Sequence, residues 1–162
     1  MLGIKRIYER IELNMNSKML NNNEELIQFI HELGYAILPG LNVQKPWCTL
    51  IAEQKKSIET RTYPCPKSKI NIPIALIATN RSEGQKAMVS CVVKITNTFE
   101  YSNLQNFRAD QIRHCVEPGA LFDFQDNKIK WAWKIEVFAR FNQQSILVPR
   151  KGIVWAKNIL EA

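Results

Sequence analysis

Residues 129–141 read IKWAWKIEVFARF. Ile129, Trp131, Trp133, Ile135, Val137, Ala139 and Phe141 recur at every second position, while Lys128, Lys130, Lys134, Glu136 and Arg140 hold the opposite parity. Side chains of a strand point alternately to its two faces, so this period of two predicts a β-strand with one apolar and one polar face. Asp126-Asn127 supplies the turn before it. The alternation by itself accounts for two tryptophans on one face as core residues, without invoking a platform for stacked bases.

Working outward, IPIALIA (Ile72–Ala78) and MVSCVVKI (Met88–Ile95) are two more short β runs, separated by the polar loop NRSEGQ. Downstream, ILVP, RKG and IVWAKNI read as two short strands joined by a basic, Gly-containing turn. Tyr101–Cys115 reads as helical, with Asn103 or Asn106 as cap, although its periodicity is poor. Further upstream, Asn22 or Asn23 caps a clearer helix. Glu24 and Glu25 suit its positive end, Leu26, Ile27, Ile30 and Leu33 form its apolar stripe, and Gly34 ends it. Residues 1–22 are Asn-rich and read as an arm, in which Ile4, Ile7, Tyr8 and Ile11 have the spacing of a short amphipathic helix. Pro39-Gly40 reads as the turn at a junction. The expected organisation is a helical extension over residues 1–40 and a main domain over 41–162. The expected class is α+β, a small mixed β-barrel of about five or six strands with flanking helices and an N-terminal helical arm.

At 162 residues, 46% hydrophobic and 23% charged, the chain has the size and composition of one globular domain. Its net charge is +7, and the surplus is uneven. Residues 1–40 hold four Lys/Arg against five Asp/Glu, whereas 41–162 hold eighteen against ten. A basic domain favours polyanions as partners. No apolar run approaches the ~20 residues of a membrane span, and the charged N-terminus MLGIKRIYERIELN lacks the plan of a secretory signal. Cys48, Cys65, Cys91 and Cys115 form no C-x-x-C pair, and His114 beside Cys115 is weak compensation, so no metal or other cofactor is expected. The cysteines read as reduced thiols of a cytoplasmic protein, Cys48 and Cys91 as core residues.

Chemistry concentrates in Lys45–Tyr63, KPWCTLIAEQKKSIETRTY. Pro46 suits a first helical turn, and Trp47, Leu50 and Ile51 recur on one side of that helix. In the strand that follows, Ser57, Glu59, Arg61 and Tyr63 share one face and Ile58, Thr60 and Thr62 the other. A carboxylate beside a guanidinium is either a solvated edge strand whose charges neutralise each other or the wall of a polar pocket. The segment YPCPKSK is a loop, because its two prolines lack ladder donors, and its Lys67 and Lys69 are free to meet a phosphate.

The order KPWCTLIAEQKKSIETRTYP, ALIATN, MVSCVVKI, WAWKIEVFAR, VPRKGIVW resembles the ASCH domain, a relative of the PUA fold, over about residues 42 to 160. The nearest branch is the eukaryotic and bacterial one whose last motif has a Pro-Arg-Lys-Gly turn. The family motif is G-x-K-x-x-E-x-R after a Pro-aromatic helix. Lys56, Glu59 and Arg61 fall on its Lys, Glu and Arg, and Pro46-Trp47 on the Pro-aromatic pair. Gln54 stands where the motif has Gly, so it must adopt the positive φ that Gly permits or the turn must differ.

The resemblance implies an RNA- or nucleotide-binding module, with a base or nucleotide in a cleft lined by Trp47, Lys56, Glu59, Arg61, Tyr63, Arg150 and Lys151. It implies as the alternative a hydrolase, either an amidohydrolase of a modified nucleoside or a ribonuclease. Lys56 and Glu59 would then be catalytic, the lysine activated by Lys55 and burial, the carboxylate shuttling a proton. In the amidohydrolase branch the position of Glu59 is Thr, a departure that counts against that chemistry here.

Overall fold

The computed structural model describes residues 17–79, 87–142, 147–148 and 154–160. Its centre is an eight-stranded mixed sheet. The strands are β1 (Lys18–Leu20), β2 (Gly40–Gln44), β3 (Ile58–Arg61), β4 (Pro73–Thr79), β5 (Ala87–Glu100), β6 (Trp131–Phe141), β7 (Leu147–Val148) and β8 (Trp155–Ala156). They run in the order β1-β6-β5-β4-β2-β8, with β3 also paired to β6 and β7 to β5. Among the described residues no ladder joins β8 back to β1, so the sheet is open. The expected closed barrel of about five or six strands gives way to a larger mixed sheet, flanked by helices as anticipated.

The helices are α1 (Asn23–Glu32), α2 (Trp47–Ala52), α3 (Leu104–Ala109) and α4 (Gln111–His114). Asn22 caps α1 by accepting the Glu25 N–H at 2.9 Å, and Asn103 caps α3 by accepting the Asn106 N–H at 2.8 Å. The single helix expected over 101–115 is two short ones, broken at Asp110. Leu26, Phe29 and Ile30 of α1 share a buried cluster with Ala75, Ile77, Val89, Val92 and Ala139 of the sheet. That cluster spans both sides of residue 40.

Two strands escaped the sequence. The segment Lys18–Leu20, read as part of an arm, pairs in parallel with Ala139–Phe141. Gly40, read as a turn, is the buried start of β2. A Cβ there would lie 2.4 Å from Ile77 Cδ1 and 3.2 Å from Ala156 Cβ, so a larger residue would have to displace the Ile77 side chain where β2 pairs in parallel with β4. Of the last two strands, β7 pairs with β5 and β8 with β2, and the basic turn expected between them lies outside the described residues.

Along β6 the alternation holds for Trp133, Ile135 and Ala139, all buried. It fails at the start. Ile129 is 57% exposed while Lys130 is only 9% exposed, because the ladder with β3 begins at Trp131 and the residues before it follow a loop. Ala132 is buried as well, on the opposite face from Trp133, where Ile58, Tyr101, Phe107 and Val116 form a separate cluster. The protein thus has apolar cores on both sides of β6, and the candidate site lies beside β3.

Candidate functional site

Glu59 and Arg61 lie two residues apart on β3, so they project to one side, while Ile58 between α4 and β6 is fully buried on the other. Beside them opens a cavity of about 400 Å3, within the range of small-molecule sites. Trp47, Lys56, Glu59, Arg61 and Tyr63 all line it. Five of the seven residues singled out in the sequence therefore meet in one place. Arg150 and Lys151 lie outside the described residues.

The turn that delivers Lys56 is set by α2. Gln54 takes φ 61°, the left-handed conformation expected of the glycine it replaces, and the Leu50 carbonyl receives the N–H groups of both Lys55 and Lys56. Lys56 is then folded inward and only 2% exposed. Its ammonium donates to the carbonyls of Ile58 and His114, both at 2.6 Å, and faces Glu59 Oε2 at 3.5 Å. Each N–H therefore has an acceptor. Burial lowers the Lys56 pKa, and the Glu59 carboxylate opposes that shift. The Trp47 ring stands 5.4 Å from the same ammonium.

Glu59 is 8% exposed, which settles against the solvated edge strand. Its second oxygen receives Arg61 Nη2 at 3.1 Å, and that nitrogen also donates to the Asn42 carbonyl at 3.1 Å. The guanidinium carbon lies 5.7 Å from the Trp133 ring. Tyr63 packs edge-on to Trp133 at 5.5 Å, and the Tyr63 carbonyl accepts the Trp133 indole N–H at 3.0 Å.

The facing wall comes from residues that sequence reasoning passed over: Val116, Phe122 and Lys130. Phe122 meets Trp47 edge-on at 6.5 Å. Lys130 donates to the Phe122 carbonyl at 2.8 Å, and burial lowers its pKa. The loop that carries them is fastened by Asp123, which accepts Arg108 in a two-point pair at 2.6 and 2.7 Å and the N–H groups of Gly119 and Phe124 at 2.6 and 2.7 Å. Hydrogen bonding to Arg108 holds the Asp123 carboxyl far below the usual range. No sequence pattern signalled this wall, since parity placed Lys130 on the polar face of the strand.

His114 underlies both walls. Its Nε2 pairs with the Phe107 carbonyl at 2.8 Å and its Nδ1 accepts the Val116 N–H at 3.0 Å, so the neutral tautomer with the proton on Nε2 fits both partners. Its ring stacks on Phe107 at 4.0 Å, and burial lowers its pKa. With both nitrogens engaged it is no metal ligand. Among the described residues no group of three or more His, Cys, Asp or Glu side chains is placed to hold a metal ion. All four cysteines are free thiols, and Cys48 and Cys91 are buried as expected. No helix among the described residues is long and apolar enough to cross a membrane.

Neither a family model nor a curated protein matches the chain. Solved structures similar to it include ASCH from Zymomonas mobilis, with a TM-score of 0.48 and 13% identity over 63% of this chain and 68% of that one. Two single-site mutants of the same protein are similar as well, one with a TM-score of 0.48 at 14% identity, the other 0.43 at 13%, each covering 63% of this chain and 69% or 70% of the other. These structures bear the name of the family that the sequence motifs resemble.

Proposed function

We propose that the chain is an RNA- or nucleotide-binding module of the ASCH kind, and that the base lies in the cavity beside β3. One observation carries this reading: a single cavity of about 400 Å3 combines aromatic rings, from Trp47, Tyr63 and Phe122, with a buried carboxylate and a surplus of cations. Flat rings offer stacking surface for a base, and Glu59 and Arg61 offer an acceptor and a donor for its edge. Single-stranded or looped RNA is the favoured polymer, since its bases splay out.

Lys56 argues for binding over turnover. Burial moves its pKa in the direction that nucleophilic chemistry needs, yet its three N–H groups face two carbonyls and Glu59, and it is 2% exposed. A lysine so held braces the wall of the cavity. The hydrolase alternative requires it to leave these partners.

Fluorescence anisotropy of labelled single-stranded RNA decamers of mixed sequence tests the reading. Replacing Tyr63, which lies half exposed at the cavity, by alanine should weaken binding by about 1–3 kcal/mol, the usual contribution of one stacked base. Absence of binding to the wild-type chain at low salt, for RNA and for free nucleotides alike, sinks it. Incubation with N-acylated cytidine followed by chromatography reads out turnover, and a deacylated product would move the assignment to the hydrolase.

A further inference from the structure

Three cations line the cavity, and they differ in what surrounds them. Lys56 faces three acceptors, and Arg61 is paired with Glu59 at 3.1 Å. Lys130 is nine-tenths buried, and among the described residues its ammonium has one hydrogen-bond partner, the Phe122 carbonyl, the Phe107 ring 5.9 Å away, and no ion pair. The two carboxylates whose field it feels, Glu59 and Asp123, are each bridged to an arginine already. A buried ammonium without a counter-ion is costly, and an anion arriving beside it removes that cost while gaining charge-assisted hydrogen bonds.

We infer that Lys130 receives a phosphate group of the ligand, so that the cavity selects nucleotides over nucleosides; this rests on the nucleotide-binding reading above. The phosphate sits against the loop wall and leaves the Lys56–Glu59–Arg61 set intact. Lys130 is thus a binding residue, and the motif residues of β3, two cations on one carboxylate, form the paired set on the other side. The lysine keeps the Phe122 carbonyl on one N–H and turns the other two to the phosphate oxygens.

Titration calorimetry of the full chain with the four nucleosides, their 5′- and 3′-monophosphates and inorganic phosphate tests this. At least one monophosphate should bind about 10- to 100-fold tighter than its nucleoside, the range for hydrogen bonds to a charged group. Lys130→Met should abolish that difference while nucleoside affinity persists, and Lys130→Arg should retain most of it. Equal binding of nucleoside and monophosphate to the wild-type chain, or equal weakening of both by Lys130→Met, overturns the inference and leaves the nucleotide reading standing. Inorganic phosphate bound by wild type and not by Lys130→Met, with no response to any nucleoside or nucleotide, overturns the inference together with the base site, because Lys130 then binds an anion without selecting a nucleotide. Silence in every arm overturns both. Near-ultraviolet circular dichroism checks each variant's fold, and Lys130→Gln, which keeps a donor for Phe122, replaces the Met variant if that one does not fold.

Discussion

The two walls of the cavity solve opposite problems. On the β3 side Lys56, Glu59 and Arg61 pair with one another and with the carbonyls of Ile58, His114 and Asn42, which fixes a shape, although the buried Arg61 Nε has no hydrogen-bond partner among the described residues. On the loop side the fastening is done by Arg108 and Asp123, away from the cavity lining, and Lys130 is left with one carbonyl and the face of Phe107 but no carboxylate. A charge bound to an opposite charge holds structure, whereas a buried ammonium without an ion pair is where the proposed phosphate would settle. The motif residues Lys56, Glu59 and Arg61 all belong to the first wall, and Lys130 belongs to the second.

Substitution separates the two roles. Glu59→Ala leaves the Lys56 ammonium buried without its carboxylate, so urea unfolding should show a loss of about 3–5 kcal/mol. A loss under about 1 kcal/mol would mean that the set behaves as a surface pair, and the contrast between the walls would collapse. Asp123→Ala removes the acceptor of four hydrogen bonds at the loop and should cost about 2 kcal/mol. Nucleotide affinity should fall with it, because Phe122 and Lys130 lose their fixed position. If affinity is untouched, the loop wall is not part of the site.

Gln54→Gly relieves the left-handed strain at the entrance to the β3 wall. Stability should rise by about 0.5–1 kcal/mol, with RNA affinity unchanged. A decrease would show that the side chain's contact with Ser17, 3.3 Å away, outweighs the backbone. The smallest effect concerns His114, shared by both walls. Its folded pKa lies below the ordinary 6.5, so the unfolded chain takes the proton more readily. The stability that neutral His114 contributes is complete well above that value and is lost as pH falls below it. Between pH 7 and pH 6 the loss stays under about 1 kcal/mol whatever the folded pKa, since the unfolded pKa sets the ceiling. His114→Gln should flatten the slope of the urea midpoint in this window, and an unchanged slope would place its cause elsewhere.

Local patterns were legible where the structure depends on local geometry. Period two put Glu59 and Arg61 on one side and Ile58 on the other, and the motif alignment flagged Gln54 as a residue needing positive φ. Non-local pairing was not legible. Parity sent Lys130 to solvent because the alternation of β6 was extended past Trp131, yet the strand starts only where Arg61 pairs with that tryptophan. Gly40 read as a turn because the chain's own pattern carries no sign that Ile77 lies against it. The short β1 was hidden for the same reason, since its three residues owe their conformation to β6.

The Lys56–His114 bond joins positions 58 residues apart, and the Trp133–Tyr63 bond joins positions 70 apart. Contacts of such separation carry a loop-closure entropy cost that local contacts avoid. If the cavity accordingly assembles after the folding transition state, substitutions at Lys56 should speed unfolding while leaving the refolding rate nearly unchanged, which stopped-flow chevrons measure directly. Ligand, by closing on the assembled cavity, would then act as a brake on unfolding and lengthen the lifetime of the native state.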